Sequence, residues 1–204
     1  LDRILKAEGK SPDAYKLSKQ ADLLMTFYNL GEEKTTSILE RLGHKMPDDY
    51  FRKNFDYYIS RTSHGSTLSR LVHADLAYRL GDHAFAWNLY MEALKSDLVD
   101  IQGGTTGEGI HCGVMAGTVF MVLSVFCGLD VSGEEPYLCP DLPDHWKSLK
   151  FNFTLKDTGF KFAVFEKTLE IMADKMQKDK IKVHICDEKI ELERGRVFKM
   201  NLKS

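Results

Sequence analysis

The sequence predicts an α+β protein in which a helical part precedes a small antiparallel β-sandwich. Apolar residues recur at helical spacing from Lys16 to about Asp130, whereas apolar and polar residues alternate after Pro136. With 43% hydrophobic and 28% charged residues, the 204-residue chain has enough apolar surface for a core. We therefore divide it into a helical domain over residues 1–135 and a connector with a C-terminal sandwich over residues 136–204.

Each predicted helix of the first part is bounded by a turn or a capping residue. Gly31, Gly43 and Gly81 mark helix ends, and Ser66 and Asp82 are candidate N-caps. Because several helices are apolar on more than one face, they resemble part of a layered helical barrel more than a slim bundle. The predicted ranges are Lys16–Asn29, Glu32–Leu42, Asp49–Ser60, Thr67–Leu80, Asp82–Leu98 and Ile110–Leu129.

The last of these helices is apolar enough to be compared with a membrane span. The 21 residues between Glu108 and Asp130 contain no Asp, Glu, Lys or Arg, and a span needs about 20 apolar residues. Gly113, Gly117 and Ser124 dilute the hydrophobicity, and no basic flank follows. We therefore predict a buried helix in a soluble protein.

Charge and cysteine spacing exclude several kinds of partner. The net charge of −2 includes no long run of one sign, so nothing indicates binding to nucleic acid or to a membrane. The four cysteines (Cys112, Cys127, Cys139 and Cys186) include no CxxC pair and follow no secretory signal. We predict reduced thiols in a cytoplasmic protein, with neither a disulfide nor a metal site.

The second part begins with a stiff connector that contains Pro140, Pro143 and Trp146. Short alternating runs follow it, separated by turn signals at 157–159, 187–188 and 194–195. Residues 173–180 are ambiguous between a strand connection and a helical turn, and the strand order is not predictable. The predicted strands are Leu149–Leu155, Phe160–Phe165, Thr168–Met172, Ile181–Cys186, Lys189–Glu193 and Val197–Leu202.

A glycine-rich loop, Gly103–His111, is the strongest candidate for a binding site. It contains four glycines and two threonines and leads into a predicted helix N-terminus, which favours an anion. With His111 as a further donor, the loop fits phosphate or sulfate. The alternative is a solvated turn in which Glu108 complements the helix dipole.

Two further polar stretches are candidates. Arg61–Ser69 is a hydroxyl-rich run between two helices, and it fits a polyol or anion site about as well as an ordinary loop with an N-cap. Lys19-Gln20 is predicted to lie on the first helix, where such a pair is more often a solvated face. His73 and Asp75 lie on an apolar stripe and are interpreted as helix-packing groups.

At these same stretches the chain resembles glycoside hydrolase family 65, the maltose, trehalose and kojibiose phosphorylases. The resemblance covers essentially the whole chain, and it implies the C-terminal part of an (α/α)6 barrel followed by a small antiparallel β-sandwich domain. The matching segments are Lys19-Gln20-Ala21-Asp22, Ser63–Ser69, Gly103–Thr106, Glu108–His111, Ala116-Gly117-Thr118 and Leu138–Trp146.

The resemblance implies inverting phosphorolysis of an α-glucosidic disaccharide to β-glucose 1-phosphate and glucose. Phosphate fills the place that an activated water takes in an inverting hydrolase. The implied ligands are a disaccharide and phosphate, with no other cofactor, and a homodimer is expected. The implied sugar-binding residues are Lys19, Gln20 and Glu108; the implied phosphate-binding residues are His111, Ser66, Thr67, Gly104, Thr105 and Thr106.

One departure from the family pattern concerns the general acid, which in the family lies well upstream of the Lys-Gln motif. Only 18 residues precede Lys19 here, and none of Asp2, Glu8 or Asp13 stands in a context resembling the acid motif. We therefore expect a C-terminal fragment that needs the rest of its own chain and is inactive alone. The alternatives are a hydrolase of the same family and a non-catalytic carbohydrate-binding or oligomerisation module.

Overall fold

A computed structural model of the chain describes residues 2–11, 14–101, 106–165, 167–175 and 180–202, with the backbone alone at Asp2, Glu108 and Lys175. The chain divides into two compact units, Leu1–Val119 and Phe120–Ser204. The finer placement of a domain boundary at residue 135 stays a prediction.

The first unit is built of α-helices. Helices over residues 32–42, 49–60, 67–80 and 82–98 were predicted, and each is confirmed within a few residues. The helix predicted over 110–129 is shorter and changes to π-helical geometry at Val122–Phe126. The observed helices are α1 (Asp2–Ala7), α2 (Met25–Arg41), α3 (Tyr50–Ile59), α4 (Thr67–Arg79), α5 (His83–Lys95) and α6 (Cys112–Met121), with a short 3-10 turn at Thr106–Glu108.

The predicted helix over Lys16–Asn29 is wrong in its first half, because α2 begins only at Met25. Ala21 and Leu24 are buried, as the helical spacing indicated, but the backbone before them pairs with another loop. The break predicted at Gly31 is confirmed as a kink within α2, where Gly31 has φ 75° and ψ 168°. A residue other than glycine is strained at that φ.

Helix α4 lies at the centre of the first unit. Nine of its thirteen residues are buried, and Val72, Leu76 and Ala77 join the core formed with α2 and α3. A Cβ on Gly117 of α6 would lie 2.2 Å from Leu71 Cδ2, so this glycine allows α6 to approach α4 closely. The loop that precedes α4 therefore leads into a largely buried helix.

The second unit contains two sheets, and all six predicted strands are confirmed with small shifts at their ends. An antiparallel sheet has the order β2-β3-β4-β7; a three-stranded sheet has the order β1-β5-β6, with β1 parallel to β5. The strands are β1 (Tyr137–Leu138), β2 (Ser148–Leu155), β3 (Thr158–Phe165), β4 (Thr168–Lys175), β5 (Lys180–Ile185), β6 (Glu188–Glu193) and β7 (Val197–Asn201).

Period-two alternation places one face of each sheet in a shared core. On β3, Phe160, Phe162 and Val164 are buried, and they cluster with Ile171 of the same sheet and Val183 of the other. The alternating sequence pattern is thus explained by burial on one face.

The prediction of four reduced cysteines is wrong, because Cys139 and Cys186 form a disulfide. Leu138 of β1 pairs with Ile185 of β5, so Cys139 and Cys186, which directly follow these two strands, lie next to each other. The bridge spans 47 residues of sequence, and local spacing therefore gave no sign of it. Cys112 and Cys127 remain free thiols.

Within the described ranges, the helices are too short or too polar to cross a membrane.

Candidate functional site

The Lys19-Gln20 segment is hydrogen-bonded to the loop before α4, which comprises residues 60–66. The Ser18 N–H donates to Arg61 O at 3.0 Å, the Ser63 N–H donates to Ser18 O at 2.9 Å, and the Gly65 N–H donates to Lys19 O at 2.8 Å. These bonds take up both backbone groups of Ser18 and the carbonyl of Lys19, so these groups are not available for the predicted helix. Two of the three stretches that the sequence singled out are therefore adjacent.

Gly65 is needed where these two segments meet. A Cβ at this position would lie 3.0 Å from Lys19 Cγ and 3.5 Å from Lys19 O. Both Lys19 and Gln20 have exposed side chains, and the Gln20 amide donates to Asp22 Oδ1 at 3.1 Å. The Lys19 stem therefore lies close to the Gly65 backbone, although the side chain as a whole is exposed.

Ser66 and Thr67 lie at the start of α4. Ser66 is the N-cap residue with an extended backbone, at φ −129° and ψ 139°, but its hydroxyl makes no capping hydrogen bond. The Ser66 hydroxyl therefore does not bond to the backbone N–H groups at the start of α4. Thr67 is buried. Their predicted role in phosphate binding stays a prediction.

His64, Ser69 and His73 form a hydrogen-bonded group behind this loop. His73 is completely buried, and its Nδ1–H donates to the Ser69 carbonyl at 2.7 Å. That bond places the proton of the neutral ring on Nδ1, and among the described residues Nε2 has no partner. His64 Nδ1 lies 3.0 Å from Ser69 Oγ, and the two imidazole rings meet edge-on at 4.9 Å.

This environment keeps both imidazoles neutral. Burial lowers the pKa of His64 to about 4, and the neighbouring His73 and Arg70 act in the same direction. Burial also lowers the pKa of His73. His64 has a positive φ of 49°, which costs a residue other than glycine free energy. The loop before α4 is therefore held in a strained conformation with an uncharged ring.

We expect the stability of the first unit to fall as the pH is lowered through the range from 6.5 to about 4. In that range the unfolded chain binds a proton at His64 that the folded chain excludes. Allowing for the partial exposure of the ring, the loss attributable to His64 is about 1–3 kcal/mol. Urea unfolding at pH 7 and pH 4.5 measures it. His64→Asn, which tolerates a positive φ, should reduce the loss; the exposed His44→Asn should not. An equal loss in wild type and His64→Asn would contradict this assignment.

His111, the central residue of the third stretch, is held by a residue that sequence reasoning missed. Asp97 follows α5 by two positions, and its Oδ2 accepts the His111 N–H at 2.8 Å. Its Oδ1 lies 2.6 Å from His111 Nδ1. The Asp97 side chain is 8% exposed and that of His111 25% exposed. An Asp fourteen residues upstream of a His has no local signature, so the pair could not have been predicted.

The rest of the glycine-rich loop is described in part. Gly104 and Thr105, both predicted phosphate ligands, lie outside the described residues, as does Gly103. Thr106 begins the 3-10 turn, and within the described part of the chain its buried Oγ1 has no hydrogen-bond partner. An unsatisfied buried hydroxyl is costly, which makes it a candidate donor to an anion. The Glu108 side chain, predicted to bind sugar, is not described.

The interpretation of His73 and Asp75 as packing groups agrees with their burial in α4. Asp75 forms an ion pair with Arg79, at 2.6 Å between Oδ1 and Nε. Burial raises the pKa of Asp75, although Arg79 opposes this effect. Over the ranges that the structure describes, no cluster of three His, Cys, Asp or Glu side chains is arranged to bind a metal ion.

Known protein families match both units. The model of the glycosyl hydrolase family 65 central catalytic domain matches residues 1–120. The model of the glycosyl hydrolase family 65 C-terminal domain matches residues 129–192. In fold, the chain is similar to a solved structure classed as a kojibiose phosphorylase, from human microbiome. The TM-score is 0.70 at 24% identity, over 92% of this chain and 25% of the other.

Curated relatives show the same family. The chain is 40% identical over its whole length to trehalose 6-phosphate phosphorylase of Lactococcus lactis subsp. lactis (strain IL1403), and it covers 26% of that protein. It is 32% identical, over 90% of its length and 22% of the relative, to α,α-trehalose phosphorylase of Thermoanaerobacter brockii. The chain thus spans about a quarter of the length of these relatives. With the family model of the catalytic domain matching more than half of its residues, the chain belongs to glycosyl hydrolase family 65.

Proposed function

We propose that this chain forms part of the active site of an inverting phosphorylase that cleaves an α-glucosidic disaccharide. One observation carries the proposal: in a chain of this family, Lys19-Gln20 and the loop before α4 are joined by direct backbone hydrogen bonds. Two candidate ligand-binding stretches, far apart in sequence, therefore share one surface.

In the proposed reaction, a phosphate oxygen bonds to the anomeric carbon from the face opposite the leaving group. The glycosidic C–O bond breaks, and a general acid supplied from outside these residues protonates the leaving oxygen. The products are β-glucose 1-phosphate and the second sugar. We assign Lys19, Gln20 and Glu108 to the sugar, and His111, Thr106, Ser66 and Thr67 to phosphate, together with Gly104 and Thr105. Donors of this kind suit an anion that attacks as a nucleophile.

The substrate is proposed from the relatives. Three similar relatives are named as trehalose 6-phosphate, trehalose and kojibiose phosphorylases. We propose a disaccharide of the trehalose, kojibiose or maltose type, with trehalose 6-phosphate tested beside the unphosphorylated sugars. Phosphate is the co-substrate, and the assembled enzyme is proposed to be a homodimer.

Helices α2 to α6 are proposed to be the C-terminal part of an (α/α)6 barrel. The apolar helix α6 supports this, because Val119 and Phe120 are 62% and 58% exposed, and Ile110 before it is 76% exposed. Exposed apolar side chains of this size are what remains when neighbouring helices of a barrel are absent.

We expect the 204-residue polypeptide to have no phosphorylase activity alone, whereas the gene product that contains these residues releases β-glucose 1-phosphate only when phosphate is present. The chain covers about a quarter of its relatives, and we propose that the general acid of the mechanism lies outside these residues. Product formation from trehalose, trehalose 6-phosphate, kojibiose and maltose, with and without phosphate, measures both expectations.

Three results would overturn parts of this proposal. Free glucose released at the same rate with and without phosphate would indicate a hydrolase. Glucose 1-phosphate released by the polypeptide alone would show that the acid lies within these residues. Sugar binding without turnover by the gene product would favour a non-catalytic carbohydrate-binding module.

A further inference from the structure

We propose that Asp97 is a positioning residue for phosphate: it fixes the proton of His111 on Nδ1, so that Nε2 takes up a second proton and donates to the anion. This inference rests on the proposed function, because it assumes that His111 contacts phosphate. Asp97 lies outside the sequence motifs that indicated the site, and its contact with His111 makes anion binding depend on a proton at the ring.

The geometry supports the assignment through two contacts that one carboxylate makes. Oδ2 accepts the backbone N–H of His111, and Oδ1 lies 2.6 Å from its ring Nδ1. The first contact fixes the chain where it enters α6, and the second fixes the plane of the ring. Thus Asp97 determines both where His111 stands and which ring atom is directed away from the carboxylate.

The charge of Asp97 determines the tautomer. Burial raises the pKa of the Asp97 carboxyl, but the two hydrogen bonds from His111 outweigh burial and lower it below its ordinary value. The group is therefore ionised and can only accept hydrogen bonds. His111 must then carry its proton on Nδ1, and Nε2 is the ring nitrogen that Asp97 does not contact.

A proton requirement follows for anion binding. In the neutral ring, Nε2 has a lone pair that repels a phosphate or sulfate oxygen. Binding therefore requires the imidazolium, whose second proton comes from solvent or from the phosphate monoanion. The buried hydroxyl of Thr106, unpaired among the described residues, is a second donor in the same loop.

Sulfate is the sharpest probe, because its charge does not change between pH 5.5 and 8.5. We expect its inhibition constant against phosphate, measured with the gene product, to be larger at pH 8.5 than at pH 5.5, because a neutral ring presents a lone pair at Nε2. In Asp97→Asn, the amide NH2 facing Nδ1 reverses the tautomer, so a neutral ring donates from Nε2. That variant should bind sulfate about tenfold more weakly at pH 5.5, with less than a twofold change across the pH range.

Asp56→Asn is the matched control, since this carboxylate is exposed in the same unit and pairs only loosely with Arg52, at 3.8 Å. It should leave the inhibition constant and its pH dependence unchanged. Asp97→Glu should restore part of the pH dependence. A merely structural Asp97 would weaken sugar and sulfate equally at every pH, and parallel pH profiles for wild type and Asp97→Asn would overturn the proposal.

Nitrogen NMR of the His111 ring in the 204-residue chain separates this inference from the proposed function. A proton on Nδ1 in wild type that moves to Nε2 in Asp97→Asn shows that Asp97 fixes the His111 proton, even if the gene product lacks phosphorolysis. A proton on Nε2 in wild type overturns it whatever the enzyme does.

Discussion

Replacing Lys19 by alanine in the gene product is expected to lower kcat/KM for the disaccharide by about 10- to 100-fold. This fall in kcat/KM corresponds to the loss of one charge-assisted hydrogen bond, which contributes about 1.5–3 kcal/mol. Because the side chain is exposed, the free energy of unfolding should change by less than about 0.5 kcal/mol. The KM for phosphate should stay unchanged. Initial rates at varied disaccharide and varied phosphate separate the two effects.

Two further variants make this expectation specific. Lys16→Ala removes an exposed lysine of the same segment that makes no proposed ligand contact, and it should leave all rates unchanged. Gly65→Ala keeps Lys19 but places a methyl group 3.0 Å from its Cγ, so a loss of several-fold in the same parameter is expected. Equal rates for Lys19→Ala and Lys16→Ala would show that Lys19 does not contact the sugar.

The fold was predictable wherever burial and local pattern have the same cause. Alternation on β3 reflects one buried face, and the apolar helical spacing on α4 reflects a helix that is buried over most of its surface; both elements were predicted correctly. The helix predicted over residues 16–29 is absent at residues 16–24 because burial and local backbone structure have different causes there. Ala21 and Leu24 are buried at helical spacing, but long-range backbone hydrogen bonds to the loop before α4 take precedence over local propensity.

The site was predictable as a set of motifs but not as a set of contacts. Lys19 and His111 stand in recognisable stretches, and the pairing of the first stretch with the loop before α4 appears only in three dimensions. Asp97 and the Cys139–Cys186 bridge lack any local signal, because each depends on a partner that folding brings near. The periodicity of apolar residues indicates which side chains are buried. The Asp97–His111 contact and the disulfide depend instead on which segments lie side by side in the fold.

Gly128→Ala is expected to destabilise the second unit by about 2–5 kcal/mol. Gly128 has a φ of 57°, and an added Cβ would lie 2.5 Å from Cys139 O and 3.0 Å from Cys139 N. The positive φ costs about 1–2 kcal/mol for a residue with a Cβ, and the overpacking adds about 1–3 kcal/mol. The atoms in the way are backbone, held by the Cys139 N–H bond to Cys127 O at 3.1 Å. They cannot rotate aside as a side chain could.

Gly195→Ala separates the contact from the backbone strain. Gly195 has a φ of 71° in the same unit, but a Cβ there would meet nothing within 4 Å. It should therefore cost only the 1–2 kcal/mol of the positive φ. The second unit can be followed by the fluorescence of Trp146, whose ring lies 5.4 Å from that of Phe126, in a Trp87→Phe background that removes the other tryptophan. Equal shifts of the urea midpoint for the two variants would contradict the prediction. They would mean that the backbone at Cys139 moves to make room for the added methyl group in Gly128→Ala. A larger shift for Gly128→Ala would show that this glycine is required by the close backbone approach.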